Sequence, residues 1–104
     1  MDELIDKTAA LRRAVGRLRE MLGAEAFDIV DRWDGDLCAV GVARRDDHGV
    51  LVYFSTFDRA EGRYFVSLEL PSSDPENPYV AAGEFDDVGF DELASIVRRH
   101  LSLR

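Results

Sequence analysis

Three short turns restrict this fold most, because they separate runs that resemble β-strands. Turn-forming residues fill Asp34-Gly35, 46–49 and 58–62. Asp-Gly in particular suits both central positions of a two-residue hairpin turn. Connections this short join antiparallel strands, whereas parallel strands need a crossover of a dozen residues or more. The sequence therefore predicts an antiparallel meander of the strands flanking these turns.

The strand-like runs are rich in β-branched and aromatic residues. The third run is apolar on both faces, which indicates a central strand that is covered on both sides. In the fourth run, Tyr64, Val66, Leu68 and Leu70 alternate with residues of the opposite face and are predicted to point inward. A fifth run follows the proline-rich segment 71–78, and its place in the sheet stays open. The five predicted strands span 27–33, 37–44, 50–57, 63–70 and 79–85.

An amphipathic helix is predicted at each end of the chain. Residues 2–22 place Leu11, Val15 and Leu18 on one stripe, with Asp2 as N-cap, Thr8 within the stripe and Gly23 at the C-terminal end. The heptad-like spacing lasts less than three repeats, which favours packing on the chain's own sheet over a coiled coil. A second helix begins near Phe90. The fold class is therefore α+β, order αβββββα, in one domain over 1–104.

The net charge of the chain disfavours some classes of binding partner. The chain carries a formal net charge of −8, with 21 acidic residues against 13 Lys and Arg. Phosphate backbones and anionic membrane surfaces repel such a surface, so we expect neither nucleic-acid nor membrane binding. A basic protein partner fits the charge, and simple solubility is the alternative. With no apolar leader and a single cysteine, the expected location is cytoplasmic.

No group of residues predicts a catalytic or cofactor site. Cys38 lies in an apolar strand, where a thiol is expected to be buried and inert. Asp46, Asp47 and His48 are adjacent potential metal ligands, but consecutive residues rarely converge on one ion. We therefore predict no catalytic residue, no metal and no cofactor, which favours a non-catalytic role.

The densest acidic segment is the best candidate for a binding site. It contains Glu84, Asp86 and Asp87, and Trp33 belongs to a surplus of aromatic residues that would anchor an interface. A small acidic sheet with a helix at either end of the chain resembles bacterial toxin-immunity proteins and type III secretion chaperones in shape and charge. That resemblance implies a non-catalytic protein-binding module. The alternatives are a ligand-binding domain or enzyme with a pocket between helix and sheet, beside the small residues of the second and fifth strands, and a structural homodimer.

Overall fold

The computed structural model describes residues 7–30, 37–77 and 79–103, and it has the predicted order αβββββα. The five strands form one sheet in the order β1-β2-β3-β4-β5, with every neighbouring pair antiparallel. The meander therefore continues through the fifth strand. The elements are α1 (Ala9–Leu22), β1 (Asp28–Val30), β2 (Ala39–Arg44), β3 (Asp47–Ser55), β4 (Arg63–Pro71), β5 (Tyr79–Gly89) and α2 (Phe90–His100).

Helix α1 begins later than the sequence pattern predicts. Thr8 has extended backbone angles, and its hydroxyl oxygen accepts a hydrogen bond from the Leu11 N–H at 3.3 Å, so Thr8 is the N-cap. The prediction that Thr8 lies within the stripe of this helix is therefore wrong, and Asp2, the predicted N-cap, lies outside the described residues. Gly23 closes the helix with a φ of +113°, and its N–H donates to the Arg19 carbonyl. Within the described ranges, neither helix is long and apolar enough to cross a membrane.

Both helices pack on the same side of the sheet, which we call the helix side. Buried residues of α1 and α2 form one cluster with those of the central strands. On the opposite side, Ala39, Ala43 and Leu51 are also inaccessible to solvent. The prediction that β3 is central and covered on both sides is therefore confirmed. The cluster includes Leu11, Val15, Leu18, Val40, Val42, Val52, Phe54, Val66, Leu93 and Val97.

Strand β5 extends beyond its predicted end at Phe85 and runs to Gly89. Arg63 holds this extension, because its guanidinium donates to the Asp87 carboxylate at 3.1 Å and to the Asp87 carbonyl at 2.8 Å. The pairing with β4 shifts register twice, once between Tyr64 and Val66 and once between Leu68 and Glu69. Each shift gives β5 one more residue than β4, which is the geometry of a β-bulge.

Strand β3 contacts the end of β4 closely at Gly49. A Cβ atom on Gly49 would lie 2.7 Å from the Pro71 Cβ and 3.2 Å from the Pro71 Cα. The Gly49 N–H also donates to the Asp47 carboxylate at 3.0 Å. Only glycine fits this approach without displacing the β4 backbone.

Candidate functional site

The β4–β5 hairpin is longer than the helix that covers it. Helix α2 has 11 residues and β5 has 11 residues. At about 1.5 Å per helical residue and about 3.3 Å per strand residue, the helix spans about 16 Å and the strand about 36 Å. Because α2 follows β5 directly, it covers the end of the hairpin where β5 finishes, which we call the helix end. The other end, next to the 72–78 loop, is the loop end.

Three apolar side chains on the helix side of this hairpin are exposed. Leu70, Val80 and Phe85 are 40%, 45% and 38% exposed, and the register with β4 places all three on the helix side. We call these three residues the distal patch. The prediction that Leu70 points inward is correct for its side of the sheet, but the side chain is not buried. Leu70 and Val80 are paired across the strands, and Phe85 lies opposite Val66, further toward the helix end. Exposed apolar side chains gathered on one side of a sheet mark interaction surfaces.

A groove lies between the distal patch and α2. Leu68, Phe85, Ile96, Arg99 and His100 line a cavity of about 290 Å³. The His100 Nε2 lies 2.7 Å from the Glu69 carbonyl oxygen. Since a carbonyl only accepts, the Nε2 of His100 carries the proton and donates. Leu68, Phe85 and Ile96 make the floor of the groove apolar. Its rim on α2 carries the basic residues Arg99 and His100.

The three predicted acidic residues all lie on β5 and are exposed, but their surroundings differ. The Asp86 carboxylate pairs with Arg59 at 3.1 Å, and the Asp87 carboxylate pairs with Arg63 at 3.1 Å. The Glu84 carboxylate has no ion-pair partner in the described parts of the chain. Glu84 is opposite Ser67 in the register, so it lies on the side of the sheet away from the helices. The fold therefore brings Glu84 within one residue of the distal patch but on the other side. Trp33, the predicted aromatic anchor, lies outside the residues that the structure describes.

The segment 46–49 does not gather metal ligands. It was predicted as a turn, but β3 already begins at Asp47 and the turn is limited to 45–46. The Arg44 guanidinium donates to the Asp46 carboxylate at 2.9 and 3.0 Å, and this contact lowers the pKa of Asp46. The Asp47 carboxylate accepts from a backbone N–H, and the His48 ring lies 2.8 Å from the Asp28 carboxylate. In the part of the chain that the structure describes, no three His, Cys, Asp or Glu side chains are placed to hold a metal ion.

A polar cavity of about 370 Å³ lies beside this turn and β1. Its charged lining residues largely pair with one another: Asp28 contacts His48 at 2.8 Å and Arg45 at 3.4 Å. Arg45 also donates to the Glu25 carbonyl at 3.2 Å. These contacts connect the segment after α1 to the residues around the β2–β3 turn, and they account for the charged side chains structurally.

The structure places Cys38 and the small residues of the second and fifth strands differently from the sequence-based expectations. Cys38 is half-buried and precedes β2, so the expectation of a fully buried core cysteine is wrong. Five cavities among the described residues have linings that do not include Ala39, Gly41 or Ala81. The small residues of the second and fifth strands thus do not border the cavities described.

Sequence alternation does not predict the distal patch. Leu70 and Val80 follow strand alternation, and alternation alone assigns such residues to the core. The feature that indicates exposure is the length of β5 relative to α2, the helix that follows it.

Searches of known protein families, of curated proteins and of solved structures found no match to this chain.

Proposed function

We propose that this chain is a non-catalytic protein-binding module that contacts its partner through β5 and the distal patch. The observation that carries the proposal is the concentration of exposed apolar side chains there. The described residues include seven large apolar side chains that are exposed. Four of them belong to the β4–β5 hairpin: Leu70, Val80 and Phe85 on the helix side, and Tyr79 on the other side. Scattered single residues would need no explanation, but a cluster favours an interface.

The charges on β5 support a partner with a basic surface. Glu84 offers an exposed carboxylate beside the distal patch, and Asp86 and Asp87 lie further along the same strand. Since Asp86 and Asp87 already pair with Arg59 and Arg63, Glu84 is the carboxylate best placed to meet a new cation. An apolar anchor with charges at its rim is the usual arrangement of a specific interface.

A photo-crosslinking experiment tests the proposal. A benzophenone amino acid replaces Val80 in one variant and Glu20, an exposed residue of α1, in the control. Each variant is illuminated in a lysate of the native cells, and the adducts are identified by mass spectrometry. We expect one basic protein in the Val80 adduct that is absent from the Glu20 adduct.

Charge reversal then checks the role of Glu84. Glu84→Arg removes the carboxylate, and Glu20→Arg makes the same change in net charge away from β5. We expect Glu84→Arg to reduce the Val80 adduct at least tenfold and Glu20→Arg to leave it within twofold, because screened charges act over about 10 Å or less. Identical adduct patterns from the Val80 and Glu20 positions would show that β5 is not the binding surface.

A further inference from the structure

The free edge of β5 is available for strand pairing. Among the strands that the structure describes, β5 has β4 on one side and no neighbour on the other. Residues 79–87 are all exposed, which is nine consecutive residues. An edge of this kind presents backbone N–H and C=O groups that another chain can bind as an added strand.

The two sides of this edge differ in chemistry. On the helix side, Phe85 and the groove form an apolar surface whose rim carries Arg99 and His100. On the opposite side, Glu84 presents a carboxylate. Because successive residues of a strand point to opposite sides, an added strand would meet apolar and acidic surroundings alternately. The basic rim disfavours Lys or Arg side chains of an added strand on the helix side. Such side chains are favoured on the opposite side, where Glu84 lies.

The bulges and charges of β5 disfavour a second copy of the chain as the added strand. Between the two register shifts, only Gly83, Glu84 and Phe85 pair continuously with Val66–Leu68. Bulges twist an edge and limit long pairing, so a short segment fits better than a second 11-residue strand. Pairing two copies along β5 would also bring the carboxylates of both strands together, which is destabilising.

We propose, resting on the function proposed above, that the partner contributes a short extended segment that adds a strand to β5. Its residues alternate between apolar side chains, which pack beside Phe85 in the groove, and Lys or Arg side chains, which pair with Glu84. Backbone hydrogen bonds to the edge provide affinity, and the two unlike sides select the register, since a slip by one residue would place cations against the apolar groove.

Two synthetic octapeptides test this inference. One alternates Val with Lys and the other alternates Val with Glu, and both carry a terminal fluorophore for anisotropy titration at low salt. We expect the Val-Lys peptide to bind at least tenfold more tightly. Glu84→Lys should reverse the preference, whereas Glu20→Lys, with the same change in net charge, should retain it. Equal binding of both peptides, or a preference that survives Glu84→Lys, would overturn the proposal.

Hydrogen exchange separates strand addition from other modes of docking. We expect the Val-Lys peptide to slow amide exchange at least tenfold at one or more of Gly83, Glu84 and Phe85, and to leave the α1 amides unchanged. If the partner crosslinked at Val80 binds without slowing exchange in β5, strand addition is wrong while the binding module stands. If no partner crosslinks at Val80 but the Val-Lys peptide protects β5, the edge accepts strands and the proposed function fails instead.

Discussion

Both ends of the β4–β5 hairpin pair two apolar residues across the strands, but these pairs have different surroundings. At the helix end, Tyr64 and Val88 are paired across the strands and buried beneath the helices. At the loop end, Leu70 and Val80 are paired in the same way and are 40% and 45% exposed. Both ends pair apolar residues across the strands in the same way, but the helices cover only the helix end. Burial in this molecule therefore depends on what the neighbouring element covers as well as on alternation.

Truncating one leucine at the helix end and one at the loop end should give the largest difference in the free energy of unfolding. Leu93→Ala removes a fully buried side chain of α2 and should lower the free energy of unfolding by about 2–5 kcal/mol, because it leaves a cavity. Leu70→Ala removes the same atoms from the distal patch and should cost less than about 1 kcal/mol. Urea unfolding of both variants measures the difference. Equal costs would mean that the loop end is covered as well as the helix end.

A glycine substitution tests the close contact that fixes the loop end. Gly49→Ala should destabilise the chain by about 1–3 kcal/mol, because the new Cβ would overlap Pro71. Gly16→Ala is the matched control. Gly16 lies within α1, and beyond the backbone of its own helix nothing lies within 4 Å of an added Cβ, so the variant should be about 0.5–1 kcal/mol more stable. Thermal unfolding measures both. A neutral Gly49→Ala variant would show that β3 and Pro71 separate easily.

The ion pair between Arg63 and Asp87 should have a smaller effect, confined to the helix end. Both side chains are partly exposed, so Arg63→Gln should cost about 0.2–1 kcal/mol. Amide exchange at 86–89 should accelerate, because the extension of β5 loses its side-chain support. Arg44→Gln breaks a comparable exposed pair with Asp46 and should leave exchange at 86–89 unchanged. Faster exchange in both variants would point to a general loss of stability.

The smallest effect is expected at alkaline pH. Burial raises the pKa of Tyr64 above its usual 10.0, although the nearby Arg17 and Arg13 act in the opposite direction. The folded chain therefore keeps the phenol proton at a pH where the unfolded chain loses it. Stability that is present below about pH 10 should fall as the pH rises further. Tyr64→Phe should make this decline shallower, as measured by urea unfolding between pH 9 and 11. An unchanged slope would contradict this assignment.

The sequence predicted the order of elements and the meander because both follow from local signals. The turns predicted at 46–49 and 58–62 are too short for any other connection, and the stripe of Leu11, Val15 and Leu18 is buried as its spacing requires. Element ends were less predictable. Thr8 caps α1 although its spacing predicted a place within the helical stripe. Strand β5 gained four residues through the contact between Arg63 and Asp87, two residues 24 positions apart. Tertiary contacts of this kind leave no local signal.

The candidate site was only partly predictable for the same reason. Glu84, Asp86 and Asp87 stand out as an acidic run, but their distances from Arg59 and Arg63 depend on strand pairing. The sequence therefore identified the strand without distinguishing Glu84 from its neighbours. The exposure of Leu70 and Val80 required the relative lengths of β5 and α2, which depend on where β5 ends.

The two bulges of β5 indicate where this chain can gain or lose residues during evolution. Each bulge is one additional residue that an edge strand accommodates, because only the ladder with β4 is disturbed. Strand β3 pairs on both sides over 51–55, so an extra residue there would break two ladders at once. Among descendants of a common ancestor, single-residue insertions and deletions should therefore accumulate within β5 and be absent from the paired centre of β3. The strand proposed to meet the partner is thus also the strand most free to change length.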